Sequence, residues 1–217
     1  MTIENIKKKL ENYKKEGLKL FVSSSFQSHS IPLLHIISNI DNAIPVMFIN
    51  TGYLFPETLI FRDKIGKAFG LNIINVNSSI SRIYQKNCNG NFLFTSDPDR
   101  CCFINKTQPM EPVLTEYDVW INGVRADQNA NRKSMKTEQD GAFNCKRFHP
   151  ILDWNNKMIY DYIQQNNLPK HPLDDKGYIS IGCEPCTRKF DLNNERSARW
   201  FGMNKTECGL HTDLAGK

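Results

Sequence analysis

Apolar positions at Ile3, Ile6, Leu10 and Tyr13 recur three or four residues apart, which predicts an amphipathic helix near the start of the chain. Leu18 to Ser23 packs apolar and aromatic residues into a short run and predicts a strand. Pro32 to Ile40 reads as a helix, with proline tolerated in its first turn. Ile44 to Asn50 reads as the next strand, and Pro56 to Phe69 as a helix closed by Gly70. Leu71 to Val76 and Asp118 to Asn122 are further strands, and Trp154 to Gln165 a later helix. Strands alternating with helices predict an α/β fold, a mostly parallel twisted sheet flanked by helices.

Beyond about residue 124 the periodicity loosens. Ala126 to Asp140 is polar and reads as an exposed loop. Met203 to Lys217 has no periodicity and contains Gly209 and Gly216, so it reads as a tail outside the core. The expected organisation is one α/β domain over 1–202 followed by an arm over 203–217.

Composition adds limits. With 217 residues, 40% apolar and 24% charged, the chain suits one globular domain. Apolar runs such as Ile44 to Ile49 are too short to span a bilayer, and no membrane partner is expected. Met1 to Lys15 is polar and lysine-rich, unlike a secretory signal, so a cytoplasmic location is expected. The net charge of +5 suits a nucleic-acid binder or an enzyme for small anions. Its lysines are dispersed rather than blocked, and no nucleic-acid partner is expected.

In parallel sheets, ligands bind beyond the carboxyl ends of the strands. Ser23-Ser24-Ser25 follows the first strand and Asn50-Thr51-Gly52 the second. Hydroxyls and helix-start N–H groups can hold an anion there, although serine runs also serve as turns and caps.

The seven cysteines, an odd number without a secretory signal, point to metal ligation or catalysis rather than a disulfide framework. Four form two pairs, Cys101-Cys102 and Cys183 with Cys186 in Gly-Cys-Glu-Pro-Cys. Zinc ligands are usually two to four residues apart, whereas vicinal cysteines can each take one iron of a cubane. Structural zinc and a Cys183/Cys186 redox disulfide remain open on this pattern. Cys208 stands apart on the tail, where cationic neighbours such as Lys205 could favour its thiolate. Cys88 and Cys145 fit no pattern.

Five segments together resemble the iron–sulfur branch of the assimilatory adenylyl-sulfate and phosphoadenylyl-sulfate reductases. They are Asn50-Thr-Gly-Tyr-Leu-Phe-Pro-Glu-Thr58, Cys101-Cys102, Gly123-Val-Arg-Ala-Asp-Gln128, Gly177-Tyr-Ile-Ser-Ile-Gly-Cys-Glu-Pro-Cys-Thr-Arg188 and Lys205-Thr-Glu-Cys-Gly-Leu-His211. The resemblance implies an adenine nucleotide alpha hydrolase-like fold and a 4Fe–4S cluster on Cys101, Cys102, Cys183 and Cys186. It also implies a nucleophilic Cys208 on a mobile arm and a Lys106 between cluster and sulfate. Arg196, Arg199 and Arg125 would contact anionic oxygens, and Ser24, Ser25, Thr51, Gly52 and His211 would complete the substrate site. A helix over Arg196 and Arg199 would put both guanidinium groups on one face. Ser25-Phe-Gln-Ser-His-Ser30 departs from the family's Ser-Phe-Gly-Ala-Glu-Asp, and Ala126 stands where many members have arginine.

The implied reaction is thioredoxin-dependent reduction of adenylyl sulfate to sulfite and AMP through a Cys208 S-sulfonate. The expected partners are that substrate, a thioredoxin-like reductant and a second copy of the chain in a homo-oligomer. The alternatives are the same chemistry on phosphoadenylyl sulfate, a tRNA sulfur-transfer enzyme, and a non-catalytic zinc or iron–sulfur module. Ser23-Ser-Ser-Phe-Gln lacks the Ser-Gly-Gly-x-Asp-Ser loop of the second, and the third leaves the Cys208 motif unexplained.

Overall fold

Thr2 caps the first helix by accepting the Asn5 N–H at 3.2 Å, and α1 (Ile3–Lys15) buries Ile6, Leu10 and Tyr13. The structure, a computed structural model, describes residues 1–189, 198–200, 205 and 207–214. Next come β1 (Leu20–Ser23), α2 (Ile31–Asp41), β2 (Val46–Asn50), α3 (Pro56–Phe69) and β3 (Ile73–Asn77). Pro56 opens α3, and Gly70 closes it in the left-handed conformation, its N–H returning to the Gly66 carbonyl.

The chain then makes a helical passage absent from the sequence expectation. Short helices α4 (Leu93–Ser96) and α5 (Pro98–Cys102) run through a π-helical turn (Phe103–Thr107) into α6 (Gln108–Glu116). Beyond it lie β4 (Val119–Asn122), α7 (Ala130–Lys133), β5 (Glu138–Gln139), β6 (Lys146–Phe148) and α8 (Asn156–Gln165). The polar stretch expected to be an exposed loop therefore holds a turn at Ala126–Gln128, a helical turn and an edge strand. Its polar groups find partners inside the protein, and Arg132 is buried.

The six strands lie in the order β3-β2-β1-β4-β6-β5, all parallel except β5. Alternate strand residues serve opposite faces. Val22, Val46, Phe48 and Ile121 pack with α1, α2 and α8, while Phe21, Met47 and Trp120 pack with Met110 and Leu114 of α6. Leu214 is buried in the second cluster, so the segment around it meets the core, unlike the tail expected from its lack of periodicity. Burying one leucine contributes about 2 kcal/mol, enough to bias the segment toward docking.

Candidate active site

The strand order runs outward from β1 in one direction and from β4 in the other, so a crevice opens where their carboxyl ends diverge. A cavity of ≈ 250 Å³ fills it, reached by Ser24, Ser25, Thr51, Lys106, Arg125, Cys183, Arg199, Cys208 and His211. Residues far apart in sequence thus share one space.

The strand ends form its rim. After β1, the Ser24 hydroxyl accepts the Phe26 N–H at 3.0 Å, and Phe26 turns at φ 54° to bury its ring against Phe48. The Gln27 amide donates to the Ser25 hydroxyl at 3.1 Å. After β2, the Thr51 hydroxyl accepts the Tyr53 N–H at 3.2 Å and sits 3.2 Å from Cys183 Sγ. Gly52 turns the chain at φ 74°, its N–H on the Asn50 side chain at 3.1 Å, and it is not part of the cavity lining.

Cations face this space. Lys106 lies on the π-helical turn, four residues after Cys102. Burial alone would push its ammonium down, but the thiolates of Cys183, Cys208 and Cys102 outweigh that and hold it above its ordinary value. Arg199 bridges Thr187 in an extended pairing, with the Trp200 N–H on the Cys186 carbonyl at 3.1 Å, so this residue is not helical. Its guanidinium lies over the Trp200 ring and against Gly182, where a Cβ would come within 2.2 Å of Nη2. Arg199 Nε is buried without a partner among the described residues. Arg125 grips Asp127 with Nε and Nη2, at 3.0 and 3.3 Å, leaving its buried Nη1 without a partner there. Arg196 lies outside the described residues.

Beside the cavity the four paired cysteines share an electrostatic neighbourhood. Burial above all, together with negative charge at Cys102, Cys183 and Cys186, pushes the Cys101 thiol up to about 12. Burial and Cys183 raise Cys186 to about 11, opposed by Lys106. Thiolates collected there repel one another unless cations stand among them. Asn105 Nδ2 lies 3.6 Å from Cys101 Sγ, and with Thr51 at Cys183 it supplies the polar contacts that thiolate ligands use. Among the described residues no three ligating side chains gather tightly enough for a single metal ion.

The terminal segment brings Cys208 over the cavity. The Cys208 N–H donates to Glu207 Oε1 at 2.9 Å, and Glu207 is gripped by Arg132 at 2.9 and 3.1 Å. Lys205 pairs with Asp99 near the start of α5. His211 stacks on Trp120, and its Nδ1 faces Arg147 Nη2 at 2.9 Å.

The profile of the phosphoadenosine phosphosulfate reductase domain matches residues 19–189. The chain belongs to that family. It is 38% identical over 181 residues to the adenosine 5'-phosphosulfate reductase of Rhodococcus erythropolis, covering 82% of this chain and 73% of the relative. The protein of that name from Bacillus cereus is 37% identical over 202 residues, 92% of this chain and 86% of the other. A phosphoadenylyl-sulfate reductase from Candida auris, 21% identical, shares the fold with a TM-score of 0.65 over 84% of this chain and 94% of its own. An FMN adenylyltransferase from Candida glabrata gives 0.58 at 15% identity, over 92% and 66%.

Within this family member, four polar residues of the site had gone unread in the sequence. Asn122, at the end of β4, is buried in the lining with both amide atoms unpartnered among the described residues. Arg132, Glu207 and Arg147 hold the terminal segment. Only Glu207 carried a signal, its place beside Cys208; Arg132 and Arg147 take their meaning from partners distant in sequence, and Asn122 from the cavity it lines.

Proposed function

We propose that the chain reduces adenylyl sulfate to sulfite and AMP in sulfate assimilation, with Cys208 as nucleophile. The carrying observation is that Cys208 shares one cavity with Lys106 and Arg199 at the sheet's switch point. The names of the Rhodococcus and Bacillus relatives support this reductase activity and this nucleotide.

Cys208 thiolate attacks the sulfate sulfur, an S–S bond forms, and the bond from sulfur to the phosphate oxygen breaks. AMP leaves with that electron pair. Lys106, Arg199 and Arg125 stabilise the charge gathering on the transferring and leaving oxygens, from a preorganised and partly dry position. A thioredoxin-like dithiol then attacks Cys208 Sγ and expels sulfite, and its second thiol resolves the mixed disulfide. Its two electrons balance the reduction. For that attack, the segment around Cys208 acts as an arm that leaves the cavity.

Cys101, Cys102, Cys183 and Cys186 would hold a 4Fe–4S cluster, and the donor set with its Thr51 and Asn105 contacts fits one. When bound it supplies a fixed structural and electrostatic centre beside the anion site. A cytoplasmic location and a homo-oligomer complete the reading; among the described residues no helix is long and apolar enough to cross a membrane.

Sulfite release by anaerobically purified protein, given reduced thioredoxin and each nucleotide in turn, tests this. Turnover of adenylyl sulfate is expected. Turnover of phosphoadenylyl sulfate alone would overturn the substrate, and silence with both would overturn the reaction.

A further inference from the structure

Glu207 is the neighbour of the nucleophile, yet it points away from the solvent in which a carboxylate is most stable: it is 5% exposed. Its two oxygens accept from Arg132 Nε and Nη2, and Oε2 also takes the Asn129 amide at 2.6 Å. Oε1 takes the Cys208 backbone N–H at 2.9 Å, so the same carboxylate that meets Arg132 fixes the backbone carrying the thiol. The receiving side is itself braced. Asn129 caps α7 through the Arg132 N–H at 2.8 Å, and Gln128 Oε1 accepts from Arg132 Nη1 and, at 3.1 Å, from the Arg125 N–H. The clasp is therefore continuous with the Arg125 wall of the cavity.

We propose that Glu207, acting through Arg132, is the positioning residue that sets Cys208 over the cavity and governs how readily the arm leaves. The inference rests on the reaction proposed above and adds a residue to it. A paired buried carboxylate suits this task better than an apolar side chain. The fork of a guanidinium on a carboxylate fixes orientation. Desolvating both charges cancels most of their attraction, so the pair gives direction with little net adhesion. An arm held this way has a defined docked geometry and still releases.

Docked and released states are tested by Cys208 alkylation with iodoacetamide, located by mass spectrometry, and by the single-turnover rate of Cys208 S-sulfonate formation. Glu207→Gln leaves Arg132 buried without its counter-charge, so alkylation should accelerate and S-sulfonate formation slow, each by at least about tenfold. Reduction of S-sulfonate, once formed, by a small dithiol should not slow. Glu207→Asp, and Arg132→Lys with its charge but no fork, should fall between parent and Glu207→Gln, a graded rescue that general damage would not give. Alkylation and sulfonation in Glu207→Gln within about twofold of the parent would overturn the clasp, that margin being well below the loss expected for an unpaired buried charge. A parent that forms no S-sulfonate would sink the proposed reaction instead. Alkylation needs no substrate, and would still decide the clasp.

Discussion

Arg147 Nη2 lies 2.9 Å from His211 Nδ1, and because a guanidinium only donates, that ring nitrogen accepts. His211 is thus a neutral imidazole with its proton on Nε2. Burial, then Arg132 and Arg147, hold its pKa well below the usual histidine value. The ring faces the cavity as a donor for an anionic oxygen.

Replacing Arg147 with methionine should let the His211 pKa climb toward its ordinary value. An NMR titration of the imidazole would report this. An unchanged titration would mean that Arg147 does not hold the tautomer.

Lys106→Ala should lower kcat about a hundredfold, the scale of one lost electrostatic donor at a transition state, while iron content stays at the parent level. Near-normal turnover would remove Lys106 from the chemistry.

Gly182→Ala should displace Arg199, whose Nη2 would otherwise lie 2.2 Å from the new Cβ. Losing a charge-assisted contact to an anion predicts a KM rise of about tenfold or more. Steady-state kinetics would show it, and an unchanged KM would mean that the guanidinium moves aside without loss.

Serine at Cys101 or Cys186 should abolish the visible absorbance and iron of a cluster in anaerobic protein and lower its Tm. Full iron retention in either variant would take that cysteine out of the ligand set.

Acid should destabilise the fold through His149 and His171, which burial lowers to about 4 from an ordinary 6.5. Between those values the unfolded chain binds more protons. Stability therefore falls as pH drops from about 6.5 to about 4, by up to about 1.4 kcal/mol per pH unit for each histidine. Urea unfolding at several pH values measures the slope. His171→Gln should flatten it.

How far the sequence carried depended on the range of each cause. Helices α1, α3 and α8 and strands β1 to β4 follow from apolar spacing, a local property, and Pro56 and Gly70 mark both ends of α3. The passage through α4, α5 and α6 was illegible. Proline lacks an amide donor and disfavours helix interiors, yet Pro98 begins α5, Pro109 lies in the first turn of α6 after the widened turn, and Pro112 sits inside that helix. The cysteine pairs and Cys208 were legible because their spacing is chemical information in itself. Arg147 and Arg132 were not, since each meets its partner across 64 and 75 residues. The Arg199 backbone took an extended pairing with Thr187 because a strand partner was available, a tertiary choice that arginine spacing cannot reveal.

The nucleophilic role of Cys208 is the centre of the account, and the most direct measurement is a single turnover without reductant. Protein mixed with adenylyl sulfate would be digested and the Cys208 peptide weighed, with AMP quantified in parallel. The account predicts one sulfonate on Cys208 for each AMP released, and neither product from Cys208→Ser. AMP release without that modification, or the same yield from the serine variant, would contradict it.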